Sequence, residues 1–416
     1  MIAFEKMVLK NKLEVYAFNV NKASDVISVD IFYKVGSRNE TMGKSGIAHM
    51  LEHLNFKSTK NLRAGEFDER VKAFGGVNNA STGFDYTHYY IKCAKKHLDE
   101  SLSLFAELME NLNLKDEEFQ PERDVVLEER RWRTDNNPLG YLYFRLFNHA
   151  FIYHPYHWTP IGFFKDIENW TLKDIKEFHS LYYQPKNAFI IVSGDIQTQD
   201  VFSSAKKHFE NIKNTRIIPK IYTQEPQQQG AKRIELFKKT ETELLGIAFK
   251  IPNFKHRDMS ALNALSELLA NGKSSLMNII LIDKLGLVND FYAFANESTD
   301  ESLFLFICTC NPKIKAERVE KELYKIIENV KKGKFSQKEM QKIKNTVKSD
   351  FIFSLDTASS VSNIYGSYIA KGDLKPLLEY KKNIEDLQKE DLIQCARKYF
   401  IKESSTTVIL RKDVNG

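Results

Sequence analysis

The order of predicted secondary-structure elements occurs twice along this chain, and this recurrence is the strongest constraint on its fold. In the first half, residue patterns predict strands and helices in the order strand 27–35, helices 45–55 and 66–74, strand 85–93, helices 98–112 and 121–135, and strand 187–194. The helix over 121–135 is expected to have Pro121 at its first position, where proline favours a helix start. The second half repeats the order more loosely, with strands over 234–251, a helix over 258–270, a strand over 301–310 and long helices to residue 348. The sequence therefore predicts an α+β fold of two similar α/β sandwich domains, each a mainly antiparallel sheet covered by helices.

The stretch between the two repeats has no sustained periodicity. It contains Pro219, Pro226, a glutamine triplet and Gly230, a composition typical of a linker between domains. A chain of 416 residues is also long enough for two domains of about 200 residues each. We therefore predict one domain over residues 1–216, a linker over 217–230 and a homologous domain over 231–416.

Composition argues against several classes of partner. The formal charge of +6 comes from 61 basic and 55 acidic side chains that are interspersed, which disfavours nucleic-acid binding. No apolar run reaches the roughly 18 residues that span a bilayer, and the first residues lack the pattern of a signal peptide. The four cysteines are too few and too scattered for a disulfide framework. These features predict a soluble cytoplasmic protein with no membrane and no nucleic-acid partner.

The string Gly46-Ile-Ala-His-Met-Leu-Glu-His-Leu contains the pattern His49-x-x-Glu52-His53. On a helix that advances about 100° per residue, these three polar side chains share one face. Two imidazoles one turn apart can bind Zn²⁺, and a neighbouring carboxylate can act as a general base on water. We therefore predict that His49 and His53 are metal ligands and that Glu52 is the catalytic base.

A catalytic zinc site needs a third protein ligand, and the segment 121–131 supplies the candidates. Glu122 and Glu129 are seven residues apart, so on a helix they face nearly the same way, whereas Glu128 points about 100° away. One of the two can bind metal while the other supports a ligand histidine. Spacing alone does not choose between Glu122 and Glu129.

Several motifs in this order resemble the pitrilysin, insulysin and mitochondrial processing peptidase family of inverted zincins. The motifs that carry the resemblance are Lys34-Val-Gly-Ser-Arg-Asn-Glu, the histidine string, Gly75-Gly-Val-Asn-Asn-Ala-Ser-Thr, Glu122-Arg-Asp-Val-Val-Leu-Glu-Glu, His154-Pro-Tyr, Tyr183-Gln-Pro-Lys-Asn and Val192-Ser-Gly-Asp. The resemblance is dense in the first half of the chain and loose in the second. Family spacing places the third ligand about 76 residues after the second histidine, which implies Glu129, one Zn²⁺ per chain, and Glu122 as the supporting carboxylate.

The resemblance also implies a function. The segment around residues 75–90 is similar to the family's edge strand, which binds an extended peptide through main-chain hydrogen bonds and points to substrate contacts at Gly76, Asn79, Ala80, Ser81 and Thr82. The implied activity is a zinc-dependent endopeptidase that acts on short or unfolded peptides. The motif alone also allows hydrolysis of another amide. A different class, a non-catalytic structural or chaperone-like subunit of a larger complex, is known among family relatives that lose the metal motif.

One family feature is missing from the second half. Active single-chain relatives have an Arg and a Tyr that help to bind substrate and stabilise the oxyanion. This chain has Ile282 at the Arg position and Asn289 at the Tyr position, so it lacks both the cation and the phenol there. The resemblance therefore implies a dimer, either a heterodimer with a metal-free paralogue that supplies the Arg and Tyr, or a dimer in which Tyr292 or Asn289 substitutes.

Overall fold

The structure, a computed structural model, describes residues 2–20 and 22–413. Its strands, in chain order, are β1 Glu5–Val8, β2 Glu14–Asn19, β3 Val26–Tyr33, β4 Val77–Thr82, β5 Thr87–Ala94, β6 Ala188–Gly194, β7 Lys232–Lys238, β8 Leu244–Ile251, β9 Val288–Ala295, β10 Ser302–Cys310 and β11 Thr406–Lys412. Its α-helices, in chain order, are α1 Ile47–Leu54, α2 Glu66–Ala73, α3 Leu98–Asn111, α4 Asp116–Arg130, α5 Pro138–Ala150, α6 Phe164–Asn169, α7 Leu172–Tyr182, α8 Thr198–Phe209, α9 Met259–Ala270, α10 Ala316–Lys331, α11 Gln337–Phe353, α12 Ala358–Lys371, α13 Lys375–Asp386 and α14 Lys389–Tyr399. The chain also contains two π-helical turns, Arg131–Asp135 and Asn278–Lys284, and several 3₁₀ turns of three residues each.

The described strands form two sheets that share the same topology apart from one additional edge strand, β1, in the first. The first sheet has the order β1-β2-β6-β3-β5-β4 and the second has the order β7-β11-β8-β10-β9. In both sheets one pair is parallel, β2 with β6 and β7 with β11, and the other pairs are antiparallel. Each sheet is covered by helices over its own apolar core. The predicted duplicated α+β fold is therefore confirmed.

The chain divides into two compact units that are not continuous in sequence. The first unit runs through residue 128 and adds residues 158–222 and 352–374; the second holds 129–157, 223–351 and the chain from 375 onward. Residues 217–230 form neither helix nor strand. The predicted assignment of residues 1–216 and 231–416 to two domains with separate roles stays a prediction.

Each unit includes one helix from the other half of the sequence. In the first unit, α12 packs on β3 and β6, and Gly366 lies so close to β3 that an added Cβ would be 2.2 Å from the Phe32 ring. In the second unit, α5 packs on β8 and β11, and a Cβ at Gly246 would be 2.5 Å from Leu146. Glycine at these two positions therefore lets a helix and a sheet approach more closely than any side chain would allow.

One predicted helix start is wrong. Helix α4 begins at Asp116, so Pro121 is its sixth residue and not its first, and the helix ends at Arg130 before the π-helical turn. The acidic residues Asp116, Glu117 and Glu118 occupy its first turn, where they complement the positive end of the helix dipole. A start at Asp116 gains this stabilisation, which offsets the loss of the backbone hydrogen bond that Pro121 cannot donate.

Candidate metal centre and peptide-binding edge

Helix α1 carries the three motif residues and is fixed at its start by Glu40. The Glu40 carboxylate accepts hydrogen bonds from the backbone N–H groups of Gly46 and Ala48, each 2.8 Å long, and from the indole N–H of Trp158 at 2.8 Å. Burial raises the pKa of Glu40 to about 8, although these three donors favour its ionised form. A buried side chain therefore satisfies helix N–H groups that would otherwise lack partners.

The opposite face of α1 is anchored in the first core. Ile47, Ala48, Met50, Leu51 and Leu54 are all buried there. His49 is 8% exposed, and the rings of His49 and His53 lie with centroids 4.8 Å apart at an angle of 77°. The apolar stripe thus leaves the two imidazoles side by side on the polar face, as the spacing predicted.

Helix α4 brings a carboxylate to these imidazoles. One potential ligand atom from each of His49, His53 and Glu129 lies within 4.8 Å of the other two. Glu129 sits near the end of α4, two turns after Glu122. Two histidines and one carboxylate are a donor set found in catalytic zinc sites.

Glu122 contacts a histidine and a lysine. Its Oε1 is 2.8 Å from Nδ1 of His53, and its Oε2 is 2.5 Å from Nζ of Lys57. Partial burial raises the pKa of Glu122, but the hydrogen bonds from His53 and Lys57 outweigh burial and leave the pKa below its usual value. A carboxylate at Nδ1 selects the tautomer of His53 whose Nε2 is available as a ligand.

Glu52 faces the end of the edge strand. The hydroxyl of Thr82 donates a hydrogen bond of 2.5 Å to Oε2 of Glu52. Two buried phenols, Tyr89 and Tyr183, have raised pKa values; burial is the main cause, and the nearby Glu52 charge adds to it. The predicted general base therefore lies beside the Thr82 hydroxyl and near two buried phenols.

Strand β4 is one of the two outer strands of the first sheet and pairs with β5 along one side only. Of the predicted substrate contacts, Asn79, Ala80, Ser81 and Thr82 lie on β4 and Gly76 immediately precedes it. Exposure alternates along the strand, with Val77, Asn79 and Ser81 exposed and the residues between them half-buried. An edge strand of this kind can pair with an added peptide strand.

The second half lacks the expected donors. Ile282 is half-buried in the π-helical turn Asn278–Lys284 and packs against the second core, whereas Asn289 is exposed on β9. Tyr292, the alternative donor, is also on β9 and is 45% exposed.

Sequence reasoning did not single out Glu40 or Arg133. A guanidinium nitrogen of Arg133 lies 3.0 Å from Oε1 of Glu129. The spacing of four residues between Glu129 and Arg133 is a helical ion-pair signal that could have identified this contact. Glu40 lies in one of the quoted motifs, but nothing local to that motif reveals its role at α1.

Comparisons with known proteins agree with the fold and the motifs. Residues 16–150 match the family model described as "Insulinase (Peptidase family M16)". Residues 169–347 match the model described as "Peptidase M16 inactive domain". A zinc protease PqqE from Helicobacter pylori is 54% identical over 410 residues, which cover 98% of this chain and 92% of that protein. The chain belongs to peptidase family M16, the insulinase family.

Two further similarities describe the breadth of the family. A crystal structure of a protease from Helicobacter pylori, 54% identical, superposes with a TM-score of 0.97 over 99% of this chain and 100% of that one. The ubiquinol-cytochrome-c reductase complex core protein I of Euglena gracilis is 23% identical over 425 residues, 92% of this chain and 82% of that protein.

Among the residues that the structure describes, no helix combines the length and apolar character needed to cross a membrane.

Proposed function

We propose that this chain is a zinc-dependent endopeptidase that hydrolyses short or unfolded peptides bound as an extended strand along β4. The observation that carries the proposal is that ligand atoms of His49, His53 and Glu129 lie within 4.8 Å of one another, while Glu52 is on the same helix as the two histidines. The donor set fits one Zn²⁺ per chain, and the contact between Glu122 and Nδ1 of His53 fits a histidine that binds metal through Nε2.

In the proposed reaction, different residues of the chain have different roles. Bound Zn²⁺ supplies Lewis acidity, which polarises a peptide carbonyl and makes a water molecule more acidic. Glu52 accepts a proton from the attacking water and returns it to the leaving amine. Strand β4 holds the peptide main chain in register with Glu52, and Glu122 fixes the ring of His53.

Replacing Glu52 by Gln tests the assignment, with Glu69→Gln on an exposed part of α2 as the matched control. We expect Glu52→Gln to keep about one Zn²⁺ per chain while hydrolysis of an unfolded peptide falls by about 10²- to 10⁴-fold. The control should behave like the wild type. Full activity in Glu52→Gln would overturn the proposal.

We also propose that the active form is a dimer, because the second half offers an aliphatic side chain at residue 282 where a cation is expected. Loss of one oxyanion donor costs about 10²- to 10³-fold in rate. The partner is either a metal-free paralogue that supplies Arg and Tyr, or a second copy in which Tyr292 or Asn289 acts as donor. Activity of the purified chain, measured with and without proteins that co-purify from its native cell, separates these cases. Strong activity from a monomer would rule out both.

A second candidate is a non-catalytic subunit of a larger complex. The similarity to a core protein of a respiratory complex and the description of the second matched region as inactive favour it. The retained histidines and Glu129 oppose it, since a purely structural subunit has no need of them. Zinc content decides between the two candidates, since a chain that binds no Zn²⁺ supports the structural role.

The cytoplasmic location stays a prediction, tested by fractionating native cells.

A further inference from the structure

Thr82 contacts the predicted general base directly. Its hydroxyl is 2.5 Å from Oε2 of Glu52, which is a short hydrogen bond to a carboxylate. Thr82 is the last residue of β4 and is half-buried. The residue that ends the peptide-binding edge is therefore bonded to the residue that would handle the proton.

The backbone around Thr82 is held from two sides. Thr82 pairs with Thr87 at the end of the β4–β5 ladder, and the N–H of Gly83 donates to the carbonyl of Tyr86 across the turn. From outside the hairpin, the N–H groups of Ser37 and Arg38 donate to the carbonyls of residues 83 and 84 at 3.2 and 2.8 Å.

Gly36 allows the loop to come close enough to make these hydrogen bonds to the hairpin. A Cβ at residue 36 would lie 2.4 Å from the carbonyl oxygen of Gly83, so a side chain there would push the turn away. The loop 36–40 thus holds the hairpin at its first residues, and through Glu40 it holds the start of α1 at its last. One short loop therefore fixes both Thr82 and the helix that carries Glu52.

We propose that Thr82 is a positioning residue for Glu52: its hydroxyl holds one carboxylate oxygen so that the other faces the water that attacks the peptide. This inference rests on the proposed peptidase function. Because Thr82 ends β4, the placement of the peptide strand and the orientation of the base are set by the same residue. Fixing a catalytic group in its reactive geometry lowers the barrier without tightening substrate binding.

The kinetic test compares Thr82→Val, which keeps the shape and removes the hydroxyl, with Thr82→Ser, which restores it. Thr41→Val, at an exposed threonine ahead of α1, is the control. We expect Thr82→Val to lower kcat at least about tenfold with little change in KM, and Thr82→Ser to recover most of kcat. Unchanged kcat in Thr82→Val, a rise in KM alone, or a serine variant as slow as the valine variant would overturn the inference.

A second measurement does not depend on turnover. Thermal midpoints of Thr82→Val, Glu52→Ala and the double variant form a mutant cycle for the contact itself. We expect the double variant to lose less than the sum of the single losses, whereas strictly additive losses contradict the contact. Zinc content and wild-type activity, measured in parallel, separate a failure of the proposed peptidase function from a failure of the role of Thr82. A wild type that stays inactive even together with the proteins that co-purify with it from native cells overturns the proposed function, while an active wild type with a normal Thr82→Val overturns only the role of Thr82.

Discussion

Gly46 is the position at which a single methyl group should damage the candidate metal centre most specifically. It precedes α1 with φ +89°, in the left-handed region, and a Cβ there would lie 2.7 Å from the carbonyl oxygen of Ile161 and 2.8 Å from the Trp170 ring. Gly43 offers a matched control, since its φ is +86° and nothing lies within 4 Å of its Cβ position. Gly43→Ala therefore carries the backbone strain alone, and Gly46→Ala carries the strain plus the clash.

The expected magnitudes follow from these two terms. A non-glycine residue in the left-handed region costs about 1–2 kcal/mol, and both variants share this cost. Overpacking against a backbone carbonyl and a buried ring adds about 1–3 kcal/mol for Gly46→Ala. At roughly 2–4 °C per kcal/mol for a unit of this size, the thermal midpoint should fall by about 2–8 °C for Gly43→Ala and about 4–20 °C for Gly46→Ala.

Thermal unfolding followed by circular dichroism measures both losses, and chelator competition measures zinc affinity. Because Gly46 is three residues before His49, its displacement should also weaken Zn²⁺ binding, whereas Gly43→Ala should bind Zn²⁺ like the wild type. Equal midpoints and equal zinc affinities in the two variants would refute the argument from contacts around residue 46.

Two further predictions concern charge. Glu122→Gln should weaken Zn²⁺ binding by about 10- to 100-fold because His53 loses the carboxylate at Nδ1, while Glu117→Gln on the exposed side of α4 should not; equal affinities in chelator competition would contradict this. Burial lowers the pKa of His179 to about 4, below the ordinary 6.5, so the folded protein excludes a proton that the unfolded chain binds. Stability present above pH 6.5 should therefore fall as pH drops from 6.5 to 4, and His179→Leu should flatten that fall in midpoint-versus-pH curves; an unchanged slope would argue against it.

The local pattern of the sequence was enough for roughly half of the individual elements. Helical spacing predicted residues 45–55 and 98–112, and the structure has Ile47–Leu54 and Leu98–Asn111. The recurrence of the element order predicted two sheets of the same kind. These features depend on periodicity within about a dozen residues, which a single sequence displays directly.

The exchange of helices between the two halves could not be predicted this way. Periodicity shows that α5 and α12 each have an apolar face, but it does not show which sheet covers that face. The contacts that decide it, Gly366 against Phe32 and Leu146 against Gly246, join residues that are far apart in sequence. Each glycine reads in isolation as an ordinary interruption of its element.

The candidate site shows the same division. The shared face of His49, Glu52 and His53 follows from helix geometry, whereas the choice of Glu129 over Glu122 needed family spacing. Thr82 and Glu52 lie 30 residues apart in sequence, and Glu40 contacts Gly46 and Ala48 from outside the helix, so no helical or strand periodicity encodes either contact. Thr82 was predicted only as a substrate contact.

The zinc content of two neighbouring glutamate variants tests the central claim most directly. Glu129 lies with the histidines, while Glu128 is exposed on the same helix, so Glu129→Gln and Glu128→Gln make the same chemical change one residue apart. Metal analysis after dialysis should find about one Zn²⁺ per chain in the wild type and in Glu128→Gln, and far less in Glu129→Gln. Equal zinc in the two variants, or none in the wild type, would contradict the proposed metal centre.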